Sequence, residues 1–202
     1  MPSKYLRETS VPLFTKIPAF PNAFPYNELL LDGKLICKTR NWVWNHRGLT
    51  LLYTSTRAEG PVASAHGFDI KGRAKKILVG VGNLVDVRAL KKPELLKLLG
   101  QFNNLSPAQV RKRFDVVRLA RKPDCFAIDD KTWDGGDFRP FVAPLDIGFF
   151  FEDLKRFKEP VPFNWPTGPV KPIGVDVGVV AEALRAIGIL PVDVPSLIRQ
   201  AA

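Results

Sequence analysis

The spacing of apolar residues divides the chain into short elements. Ile77 to Val87, ILVGVGNLVDV, is the clearest run, with β-branched residues alternating with small ones. It predicts a strand in which Gly80 and Gly82 mark close approach of a neighbouring backbone. Leu49 to Ser55 predicts a second strand and Ile36 to Arg40 a shorter one. Leu145 to Phe151 predicts a strand ending in three phenylalanines. Phe157 to Pro166 reads as a proline-punctuated extended segment. Helical spacing places Tyr26, Leu29 and Leu30 on one face of a helix within Asn22–Leu31, with Gly33 suited to its stop. It likewise places Leu95, Leu96 and Leu99 on a helix over Leu90–Phe102, and Val177, Val180, Ala181, Leu184 and Ile187 on one over Val177–Ile187. Ser106-Pro107-Ala108-Gln109 is a capping box with Pro at the first helical position. It opens a helix expected to carry Val110, Phe114 and Val117 on its apolar face.

The segments between are expected to be irregular. Residues 1–22 hold Pro2, Pro12, Pro18 and Pro21, which argue against a long helix or a central strand. They predict a loose arm with one extended piece near Leu13–Ile17. Thr56 to Gly72 is rich in Gly, Ala, Ser and Pro and predicts a loop. Asp124 to Pro140 is acidic and predicts an irregular segment. Strands at both ends with helices interposed predict an α+β fold, a small β-barrel with flanking helices.

Composition sharpens the partner class. With 30 Lys+Arg against 20 Asp+Glu the net charge is +10, which favours an anionic partner, nucleic acid before an acidic membrane surface. The chain holds no run of about 18 apolar residues, so no transmembrane span is expected, and its first ten residues lack signal-peptide form. Cys37 and Cys125 are the only cysteines, and His46 and His66 the only histidines. They predict neither a disulfide framework nor a metal centre, and point to a reducing, cytoplasmic compartment.

The candidate chemistry lies in Gly33–Thr56, GKLICKTRNWVWNHRGLTLLYTST, where basic residues interleave with Trp42 and Trp44. Cations that hold phosphates beside flat rings that stack on bases are what a nucleic-acid site needs. The candidate binding residues are Lys38, Arg40, Trp42, Trp44, Arg47 and Arg57. Lys38 and Arg40, at i and i+2, share one face of a strand and with Arg47 could clamp a phosphate. The same pattern also fits a charged strand edge and a hairpin with two core tryptophans. Arg111-Lys112-Arg113, with Arg118, Arg121 and Lys122 beyond, forms a second basic cluster: either a solvated helix face or part of a strand-binding footprint. Asp86 is expected to pair with Arg88. Phosphate-loop, nucleophile-elbow and zinc-protease motifs are all missing from the sequence.

In order and spacing these segments resemble the ASCH family of the PUA-like superfamily. That family carries a G-x-K-x-x-E-x-R motif after a helix, then a Trp, a Y-R-G turn and an apolar strand. Gly33 and Arg40 fall at the motif's first and last positions, Trp42 follows, and Asn45-His46-Arg47-Gly48 matches the turn. Ile77–Val87 and Phe149–Pro162 match later family segments. The resemblance implies a PUA-like barrel within residues 23–166, with a helical insertion at about 91–144, an N-terminal arm over 1–22 and a helical extension over 167–202. It also implies RNA or another single strand as ligand, held as an unstacked nucleotide, with no cofactor. The alternative it carries is a hydrolase acting on a modified nucleoside, acetylated cytidine, or on RNA, with Lys34, Lys38 and Thr39 as catalytic candidates. The family's Lys position is Leu35 here and its Glu position is Lys38, so two side chains of that chemistry are replaced. A protein-interaction adaptor using 91–144 and Phe163–Pro172 is the third reading.

Overall fold

The computed structural model describes residues 15–119, 122–130, 147–166 and 171–190. Residues 1–14 of the expected arm, the 131–140 part of the acidic segment and the tail from 191 onward lie outside them. The protein is α+β, built on a six-stranded mixed sheet. Its strands, in chain order, are β1 (Lys16–Phe24), β2 (Lys38–Arg40), β3 (Gly48–Ala58), β4 (Ile77–Ala89), β7 (Ile147–Pro162) and β8 (Ile173–Asp176). A separate antiparallel pair joins β5 (Phe114–Leu119) to β6 (Lys122–Asp130). Spatial order in the main sheet is β2-β7-β4-β3-β1-β8. The two edges are strands of three and four residues that pair with β7 and β1. The expected barrel is therefore an open sheet in its hydrogen bonding.

The centre of the sheet follows the apolar pattern. Leu78 to Gly82 of β4 are buried without interruption, as expected of a strand covered on both faces. At Gly80 a Cβ would overlap the backbone oxygen of Lys155 on β7, and at Gly82 it would lie 2.8 Å from Leu154 Cδ2. These glycines let the long, bulged β7 close onto β4. The expected strand at 145–151 and the extended segment after Phe157 are one continuous strand. Its prolines, Pro160 and Pro162, fall at its end, where Pro162 pairs with Ile77.

The proline-rich N-terminal region corrects the expectation of a loose arm, because β1 is an internal strand of the sheet. Its parallel ladder with β3 begins at Ala19 and its antiparallel ladder with β8 ends at Ala19. Pro18 thus precedes the first ladder and Pro21 follows the second. The two prolines differ in parity, so each can aim its donorless nitrogen to a side without a strand.

The helices are α1 (Tyr26–Leu31), α2 (Gly60–Ala65), α3 (Lys92–Asn103), α4 (Pro107–Arg113) and α5 (Val177–Ala186). Gly33 ends α1 as expected. At φ +67° it donates to Leu30 O, while Lys34 N donates to Leu29 O, the paired bonds of a Schellman stop. The Ser106–Gln109 capping box is present in both directions, but α4 is shorter than expected. Phe114 and the β-branched Val116 and Val117 leave it for β5. β6 likewise takes up residues 124–130 of the segment expected to be irregular, and α2 lies within the expected 56–72 loop.

One core joins Tyr26, Leu29 and Leu30 of α1 to Leu95, Leu98 and Phe102 of α3. A second packs Val180 and Leu184 of α5 on Leu51, Tyr53, Leu78 and Val81 of the sheet. Phe20, next to Ala19 on β1, turns to the opposite face and forms a third cluster with Leu84 and Phe149. No helix among the described residues is long and apolar enough to cross a membrane.

Candidate nucleic-acid interface

The Schellman stop at Gly33 turns the chain from α1 into the edge strand β2. There it pairs with β7 in the register Lys38↔Phe149 and Arg40↔Ile147. Lys38 and Arg40 share the face that looks toward α1 and β1, but they do not form a surface clamp. Lys38 is only 6% exposed, with Nζ 3.2 Å from the centroid of the Tyr26 ring and 5.9 Å from that of Phe102. Burial, reinforced by the Arg40 charge, pushes its ammonium well below the usual lysine range. Burial on these aromatic walls shifts the balance toward the neutral amine.

Arg40 keeps its charge. Burial lowers its pKa to about 10, still far above neutrality. Its guanidinium lies 4.8 Å above the Phe20 ring. It donates to Thr39 O at 2.8 Å, to Asn22 Oδ1 at 2.8 Å and to Pro21 O. A relay continues from there: Asn22 Nδ2 donates to Asn27 Oδ1 at 2.6 Å, and Asn27 Nδ2 to Thr54 Oγ1 at 3.0 Å. Backbone register builds this relay, since Asn22 of β1 sits opposite Thr54 of β3 while Asn27 comes from the first turn of α1. All three are buried, so each bond spares a desolvated polar group.

The other candidates fall around this buried seam. Trp42 and Trp44 are half-buried. Both rings rest on Phe20, at centroid distances of 6.1 and 6.0 Å, with Trp44 nearly parallel to it. Trp42 also meets Phe149 edge-on at 5.2 Å. Val43 between them is 62% exposed, so the alternation aims both indoles to one side as strand parity requires. They cap the aromatic cluster and stay partly exposed, with the His46 ring 4.7 Å from that of Trp44.

Arg47 donates to Trp44 O at 3.0 Å, to His46 O at 2.7 Å and to Val87 O at 3.4 Å, tying the turn to the end of β4. Arg57 is exposed and paired with Glu59 at 2.9 Å. Thr39, next to Lys38 on the strand, points to the opposite face, where its hydroxyl is buried without a hydrogen-bond partner among the described residues. Lys34 stands on the surface 3.8 Å from Asp32. The three catalytic candidates therefore do not converge.

The Asp86–Arg88 pair is present at 2.9 Å, and Arg88 also grips Glu94 at 2.7 Å. The Arg88 hydrogen bond lowers the Glu94 carboxyl to about 2. Cys37 is buried and its thiol is pushed up to about 12, which makes it an inert core residue. Among the described residues no cluster of His, Cys, Asp and Glu is placed to hold a metal ion.

Sequence reasoning missed Phe20, Asn22, Tyr26 and Asn27. The one local signal was Asn27, an asparagine beside Tyr26 on the apolar side of α1, a polar group that needs a buried partner. No protein-family model matches the chain, and no curated protein matches it.

Proposed function

We propose that the chain is a cytoplasmic RNA-binding module of PUA-like, ASCH-type fold that holds an unstacked nucleotide at the β2 edge. The observation that carries this reading is the pair of half-exposed indoles, Trp42 and Trp44, braced side by side on Phe20. An indole held by Phe20 (and, for Trp44, by the His46 ring at a centroid distance of 4.7 Å) yet still partly exposed offers a base a stacking surface with little conformational entropy left to lose. Arg40 and the Asn22–Asn27–Thr54 relay are the rigid backing of that edge: they set the turn that presents the rings. The net charge of +10 supplies the long-range attraction for a polyanion. The Gly33 stop, Arg40 and the 45–48 turn support the ASCH-type assignment.

The test is filter binding of single-stranded RNA by Trp42→Leu and Trp44→Leu, with folding checked by circular dichroism. Each substitution is expected to weaken binding by about 1–3 kcal/mol, the value of one stacked base. Unchanged affinity in both would defeat the reading.

One observation favours a second reading. Lys38 is buried, and burial lowers its pKa, which favours the amine form with a free lone pair. In a hydrolase this amine would take a proton from the water that attacks the amide of acetylated cytidine. Incubation of that nucleoside with the protein and with Lys38→Met decides it: acetate release by the wild type alone would establish the enzyme.

A further inference from the structure

Away from the β2 seam, a groove of about 840 Å³ opens between the α1–β2 turn and the helices α3 and α4. Its volume falls within the range of sites that accept small ligands or ligand segments, about 300–1,000 Å³. Leu96, Leu105 and Val110 provide apolar surface, and Lys34, Lys97 and Arg111 provide charge. No Asp or Glu lines it. Lys97 and Arg111 are exposed and have no ion-pair partner among the described residues, and Lys34 is held only loosely by Asp32 at 3.8 Å. This contrasts with the β2 region, where Arg40, Arg47 and Arg57 are all engaged by groups of the protein itself.

The walls are fixed in place. Gly100 brings α3 against α4 so closely that a Cβ there would lie 3.0 Å from both Leu105 O and Val110 Cγ2. Gln101 accepts from Ile36 N at 3.1 Å through its side chain, while its carbonyl lies 2.6 Å from His66 Nε2. The groove is thus pinned to the chain that enters β2.

We infer that the α3–α4 groove is the phosphate-binding track of this protein, taking the sugar–phosphate backbone of the same single-stranded RNA whose base stacks at Trp42 and Trp44. The inference rests on the RNA-binding reading and adds to it where the phosphates go. Lys97 and Arg111, exposed and without an ion-pair partner among the described residues, suit a polyanion, and with no Phe, Tyr or Trp in the lining the groove is better fitted to backbone phosphates than to stacked bases. Lys34 at the groove and Trp42 at the stacking edge are eight residues apart, so at most about 29 Å separates their Cα atoms. A strand within the usual site size of about 4–16 nucleotides covers that distance.

The experiment is fluorescence anisotropy of labelled oligouridine with the full chain, across a salt series. It compares wild type, Lys97→Gln/Arg111→Gln, and a control of equal charge change, Lys158→Gln/Lys171→Gln. Removing two phosphate contacts from a single strand makes the slope of log K against log salt shallower by about 1.4, or about 25-fold in affinity near 0.1 M salt. The groove pair is expected to show that loss and the control much less. Equal losses in both pairs, or none in the groove pair, would overturn the groove while wild-type binding kept the RNA reading. No binding by the wild type would overturn both.

Discussion

Replacing Lys38 with methionine should stabilise the protein, by an amount that shrinks as pH rises. The side chain is 6% exposed and its nitrogen faces the Tyr26 ring at 3.2 Å, with no carboxylate bonded to it among the described residues. Folding therefore lowers the pKa of a group that titrates near about 10.4 in the unfolded chain. The folded pKa is lowered, so between it and the unfolded value the unfolded state binds one proton more. Within that window wild-type stability rises by up to about 1.4 kcal/mol per pH unit relative to a variant lacking the group. Methionine has similar length and leaves little cavity. Urea unfolding of both proteins between about pH 7.5 and about pH 9.5 should show the methionine variant more stable at the lower end. Its advantage should fall across the two units, by at most about 2.7 kcal/mol. Arg40 and Tyr26 are common to both proteins and cancel. A difference that does not change with pH, or a methionine variant less stable throughout, would refute the buried-amine reasoning.

Glu94→Gln should cost about 1–2 kcal/mol at neutral pH, discounted because solvent reaches the 39% exposed Arg88 side chain. The Glu94 pKa is depressed, so that loss is present above about pH 4.3 and vanishes as pH falls toward about 2; acid unfolding curves of the two proteins should merge there. Gly80→Ala places a Cβ into the Lys155 carbonyl and should destabilise by about 1–3 kcal/mol or more in thermal unfolding; an unchanged midpoint would contradict the close β4–β7 approach. Asn27→Ala leaves Asn22 Nδ2 and Thr54 Oγ1 without their relay partner in buried surroundings. It should cost about 1–3 kcal/mol by chemical denaturation.

Legibility in the sequence tracked how local each cause was. β4, α3, α5, the Gly33 stop and the Ser106 capping box depend on residues within a few positions of one another, and their spacing revealed them. β1 was hidden because Pro18 and Pro21 are compatible with a strand only through the staggered ends of the β3 and β8 ladders, a tertiary fact. β7 appeared as two pieces because Asp153, at φ +50°, and the register shifts against β4 interrupt its alternation. In the site, Trp42 and Trp44 sharing one side was readable from strand parity. The burial of Lys38 was not: an i, i+2 pair of cations reads as a solvated edge. Only the packing of Tyr26 and Phe102, one from α1 and one from α3, shows that this edge is covered.

Equilibrium binding of a short single-stranded RNA to the full chain, from about 50 to about 200 mM salt, tests the central claim most directly. The account predicts saturable binding whose log K falls linearly with log salt, accompanied by tryptophan quenching that diminishes in Trp44→Leu. No saturable binding at the lowest salt, or binding without any change in indole fluorescence, would contradict it.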